Sequence, residues 1–171
     1  MFPAVWSRIE QGARRILPLA TALLFILIGV VAWPIPYLGA VAPSLGLVAV
    51  YYWAIHRPDL FHLPSVFLLG VLQDAIHFLP LGLSALVFVA VHQLALSQRR
   101  FFAGHAFHML WTGFAIVAVA AMLCNWLILS LYNGHGVAFL PVLLQTALTV
   151  ILFPLPAWVL IRLHRAALSQ G

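Results

Sequence analysis

Apolar residues run in long blocks along this chain, separated by short joints rich in Pro, Gly, His or Arg. The blocks lie at about 16–33, 39–56, 60–78, 82–97, 105–131 and 137–163. Their lengths approach the roughly 20 residues a helix needs to cross a hydrocarbon core, which predicts six transmembrane helices. Pro34 and Pro36 stop the first block. The second and third blocks are short; Pro64 falls in the first turn of the third and Asp74 near its end. The last block contains Pro141, Pro154 and Pro156, and because proline removes a backbone donor, LFPLP predicts a bend. The first block is long, lacks a small-residue cleavage site and runs into WPIP, so a membrane span is expected there rather than a cleaved signal peptide.

Composition supports this pattern. The chain is 65% hydrophobic and only 6% charged, against about 45–50% apolar and 25% charged in soluble domains. So little polar surface would not cover a water-soluble globule. An all-α integral membrane protein is expected, a single domain over 1–171 with no room for a separate soluble one. The lone cysteine, Cys124, rules out an intramolecular disulfide. A pI of 10.4 is compatible with nucleic-acid binding. In a membrane chain, however, excess Arg records which side the loops face, so membrane lipid and not nucleic acid is the expected contact.

The arginines determine an orientation. All eight, at 8, 14, 15, 57, 99, 100, 162 and 165, fall at the two termini or in the second and fourth joints. The other three joints, PIPYLG, HFLPLG and YNGHG, contain none. Six spans with both termini cytoplasmic place every arginine inside. Trp33 and Tyr37 then belong to an outer aromatic belt, and Tyr51, Tyr52, Trp53 and Trp158 to an inner one. Gly29, Gly46, Gly70 and Gly113 would allow close helix approach.

Catalytic and metal chemistry find little footing. His62, His77, His92, His105, His108 and His135 are the candidate ligands. A bis-His haem needs two imidazoles at one depth, and only His92 lies well inside a span. No cofactor or metal is expected. Intramembrane aspartyl proteolysis needs two carboxylates together, whereas Asp59 falls at the opposite end of its span from Asp74 and the one glutamate is Glu10. Neither HExxH nor a serine-bearing nucleophile turn is present. That leaves Asp74 unexplained. A charge at the bilayer centre costs roughly 2.5–3.5 kcal/mol even on the lenient insertion scale. Two readings stay open. Asp74 either caps the HFLPLG turn, bonding Gln73, His77 or Ser84, or it meets a partner or ligand.

Between residues 43 and 86 several features follow in order: Pro43, Tyr52-Trp53, Arg57-Pro58, Gly70 with Asp74 four residues on, and Leu81-Gly82. This order, with the closing LFPLPAWVLIRLHR at 152–165, resembles the rod shape-determining protein MreD family. The resemblance implies a non-enzymatic, multi-pass inner-membrane subunit of the bacterial cell-elongation machinery. It further implies direct association with MreC, and through it with MreB, RodA and a class B penicillin-binding protein. A fold similar to the substrate-binding subunits of energy-coupling-factor transporters is also implied. On that footing the expected partner-binding residues are Asp74, Gly70, Pro80, Gly82 and Trp53. Asp74→Ala is expected to impair complex formation more than it lowers protein level.

Two other classes compete. A vitamin-transporter substrate-binding subunit would need an outward pocket fed by Tyr132, Asn133, His135 and Asn125. A haem-carrying electron-transfer anchor would show itself in an absorbance spectrum.

Overall fold

A computed structural model describes residues 3–30, 41–102, 107–134 and 136–168. These residues form seven helices and no strand: α1 (Pro3–Val30), α2 (Leu45–His56), α3 (Leu63–His77), α4 (Leu83–Phe102), α5 (Phe107–Asn133), α6 (Phe139–Leu152) and α7 (Pro154–Leu168). The last apolar block is thus two helices, bent by 43° at Phe153. By length and hydropathy α5 suffices to cross a membrane, and the bent pair does if counted as one span. Residues 41–44 of the second block are not helical; α2 has 12 residues and spans about 18 Å, well short of a roughly 30 Å hydrocarbon core.

Its brevity follows from its position. Every residue of α2 from Gly46 to Ile55 is buried, on all faces, and it packs against α1, α4, α5 and α7. A helix apolar all round belongs inside a bundle. The expected inner aromatic belt is corrected accordingly: Tyr51, Tyr52 and Trp53 do not face lipid but form the core, each at most 1% exposed. The Tyr51 ring meets Phe114 edge-on at 5.3 Å, and Phe114 stacks on Phe153 at 4.3 Å. The Trp53 indole donates to the Thr21 hydroxyl at 2.9 Å. Trp158 does lie at the surface, under the Arg162 guanidinium at 4.7 Å. Trp33 and Tyr37 fall outside the described residues.

From α1 to α6 successive elements alternate in direction, and α7 continues α6 beyond the bend. One cavity is lined by the C-terminal ends of α1, α3 and α5 together with the N-terminal ends of α2, α4 and α6. At the opposite end Tyr51 meets Gln98 and Trp53 stacks on His164. Arg57, Arg99, Arg100 and Arg165 lie on the helix ends that face away from the cavity. There Arg57 pairs with Asp59 at 3.1 Å and holds that carboxyl below the usual carboxylate range. The pair is exposed and adds little to stability.

Polar side chains repair the backbone where apolar helices break. Pro154 has no N–H, so the carbonyl of Val150, four residues earlier, loses its helical donor. The Trp111 indole of α5 supplies one at 2.8 Å. The non-helical stretch before α2 is held by α6: Gln145 Nε2 donates to the Ala42 carbonyl, and the Ser44 N–H donates to the Thr149 hydroxyl. His92 of α4 donates from Nε2 to the Phe61 carbonyl at 3.0 Å and so fastens the α2–α3 joint. Where no water competes, each unmet backbone group would cost several kcal/mol.

Candidate functional site

α3 ends and α4 begins on one residue. The Asp74 carbonyl accepts the N–H of Leu79 at 3.0 Å and that of Phe78, the left-handed C-cap of α3 (φ 53°). Its carboxylate accepts the N–H of Gly82 at 2.9 Å on one oxygen and that of Ser84 at 2.9 Å on the other. Asp74 thus caps the N-terminus of α4 from outside that helix, where the free N–H groups and the helix dipole both favour an anion. Asp74 is wholly buried, and these donors are what make a buried carboxylate tolerable. Of the bonds expected for it, the one to Ser84 forms, through the backbone. His77 instead bonds the Gln73 carbonyl through Nδ1.

Two glycines make this geometry possible. A Cβ on Gly70 would lie 2.6 Å from the backbone nitrogen of Ala85, and closer still to its Cα. The bare backbone of α3 therefore rests directly on the start of α4, as the close-approach expectation required. Gly82 takes φ +101°, a conformation L side chains rarely adopt. Pro80 sits half-buried between them and accepts the Leu83 N–H.

Within the Asp74–Gly82 turn, where the sequence places the candidate site, this arrangement exposes two side chains that were not among the expected binding residues. Phe78 is 95% exposed and Leu81 73% exposed, at the crest of the turn. Asp74, Gly70 and Gly82 shape that crest rather than form its surface. Trp53 lies in the core and presents no surface. The alternation of apolar letters in HFLPLG gave no sign of which side chains would protrude, because that depends on the left-handed turn at Phe78.

Beside the turn lies the cavity already described, about 230 Å³ in volume. Of the pocket residues expected for a transporter subunit, Asn125 lines it, whereas Tyr132 and Asn133 are exposed elsewhere and His135 lies outside the described residues. Among the described residues no three His, Cys, Asp or Glu side chains come together as a metal site would require.

The family model described as rod shape-determining protein MreD matches residues 13–164. The chain belongs to the MreD family. The match takes in every element from the middle of α1 to the greater part of α7, and with it the whole of the α3–α4 turn. As an MreD protein it is a rod-shape-determining membrane protein, and its all-helical, strongly apolar structure is consistent with that. No curated protein and no solved structure matches it.

Proposed function

We propose that this MreD-family chain is a non-enzymatic, six-span scaffold of the bacterial inner membrane, with both termini cytoplasmic, and that it binds MreC through the α3–α4 turn. The observation that carries the reading is the exposed Phe78–Leu81 crest, braced from below by Asp74. Interfaces are enriched in aromatic residues, Phe among them, and here one is held outward on a rigid turn. The alternating helix directions support the topology, since they leave the arginine-bearing helix ends together, opposite the crest. The crest then faces the periplasm, where the bulk of MreC lies in this family. MreB, RodA and a class B penicillin-binding protein join through MreC.

The second reading, a vitamin-transporter subunit with that family's six-helix fold, draws on the cavity. At 230 Å³ it falls below the roughly 300–1,000 Å³ typical of drug-sized ligand sites. The scaffold reading is the better supported.

The test is affinity capture of the tagged chain from its own solubilised membranes, with mass spectrometry of what it retains. Wild type is expected to retain MreC. Phe78→Ser/Leu81→Ser is expected to lose it at unchanged protein level, since both side chains are exposed and contribute little to the fold. Retention of a transporter ATPase pair in place of MreC would install the second reading.

A further inference from the structure

We infer that the cavity among the ends of α1 to α6 is a binding site for a small neutral group rich in hydroxyls or amides. Most polar side chains of the apolar helices are consumed in repairing backbone: Asp74, His92, Trp111, Gln145 and Thr149 each hold a main-chain group. The Ser84 hydroxyl is an exception. Ser84 is 2% exposed, and its Oγ has no hydrogen-bond partner among the described residues, yet a buried hydroxyl left unpaired is costly.

Ser84 lines the cavity. Around it the wall carries the amides of Gln73 and Asn125, the hydroxyl of Ser44 and the amide oxygen of Gln145, whose nitrogen is already engaged. Amides both donate and accept, and so do hydroxyls, so the wall matches a partner of the same kind. Gly46 lets the Gln73 amide lie against bare backbone, since a Cβ there would come 2.7 Å from its Oε1. The rest of the lining is apolar, with Phe25, Met122 and Trp126 available to cover a ring or chain.

Charge selects among ligands. Among the described lining residues His77 is the one titratable group, and no Arg, Asp or Glu faces the space. An ion would enter without a counter-charge and lose its hydration uncompensated. A neutral sugar or amide would not. His77 on the wall is itself exposed, which puts the cavity close to the surface. The ligand group is borne either by a soluble molecule or by the head of a neutral lipid. This site is separate from the exposed crest and does not depend on the scaffold reading.

The experiment is native mass spectrometry of the full chain in nanodiscs, with two probes. One is soluble N-acetylglucosamine; the other is monoglucosyl-diacylglycerol mixed into the bilayer. Three proteins are compared: wild type, Thr112→Val as a control outside the cavity, and Ser84→Ala/Asn125→Leu. At least one probe is expected to bind wild type and the control, and to bind the double variant about tenfold more weakly, as the loss of two hydrogen-bonding groups implies. Binding of the free sugar identifies a soluble source, and binding of the glycolipid alone a lipid one. Should the double variant melt well below wild type, Asn125→Leu alone carries the comparison, its site on α5 being half-exposed. No adduct with either probe overturns the inference, as does an adduct equal in all the proteins, which would be lipid on the outer surface.

Discussion

Asp74 is the residue on which the α3–α4 joint turns, and its two roles separate by substitution. Its carboxylate takes both the Gly82 and Ser84 N–H groups inside the protein. Asp74→Ala leaves the buried Ser84 donor and the half-buried Gly82 donor unpaired and is expected to cost about 2–3 kcal/mol, read as a lower melting temperature of the purified chain. Asp74→Asn keeps one accepting oxygen and is expected to fall between Ala and wild type. If Ala were as stable as wild type, water would have to be serving the cap. Protein level should therefore fall together with complex formation in Asp74→Ala, so the crest variants are the cleaner probe of the partner. The presence of an isolated carboxylate was legible in the sequence, and so was a cap as one of its two roles. Which donors it meets was not, because Gly82 and Ser84 reach it only once α3 has reversed into α4.

At the scale of elements, the bend between α6 and α7 shows how composition and packing share the work. Pro154 and Pro156 made a break at LFPLP readable, and the 43° bend lies there. That the freed Val150 carbonyl is met by Trp111, thirty-nine positions away, was not readable. Trp111→Phe retains the ring and removes the donor. It is expected to destabilise the chain by about 1–2 kcal/mol, with Trp111→Phe/Pro154→Ala recovering most of the loss because the helix then supplies its own donor. A double variant no more stable than the single one would show that the indole holds α5 to α6 by packing alone. The inner aromatic belt failed for a related reason. A run of YYW at a helix end reads the same whether that helix faces lipid or four neighbours, and only the central position of α2 distinguishes them.

For the whole molecule, orientation is the property that remains to be measured. In a Cys124→Ser background, Leu81→Cys is expected to react with a membrane-impermeant maleimide added to intact spheroplasts, and Asp59→Cys only after the membrane is opened. Both positions are exposed, so a difference reports sidedness and not burial. Labelling of both from outside would break the six-span topology. The bundle also shows why short helices suffice at its centre: the stretch before α2 sits inside protein, where α6 satisfies its backbone.

What the sequence determined by itself is set by quantities that add along a chain. Apolar content forces the helices out of water, Pro and Gly interrupt them, and the placement of Arg biases their direction. Family membership likewise rests on the order of residues along the chain, from 13 to 164. Tertiary structure decided everything that depends on two distant segments meeting: the wholly buried α2, the carboxylate of Asp74 on the α4 terminus, the exposed Phe78–Leu81 crest, and the polar cavity around Ser84. The physical reason is that a polar side chain in an apolar helix must find a hydrogen-bond partner, and the identity of that partner is a property of packing, which one-dimensional order does not contain.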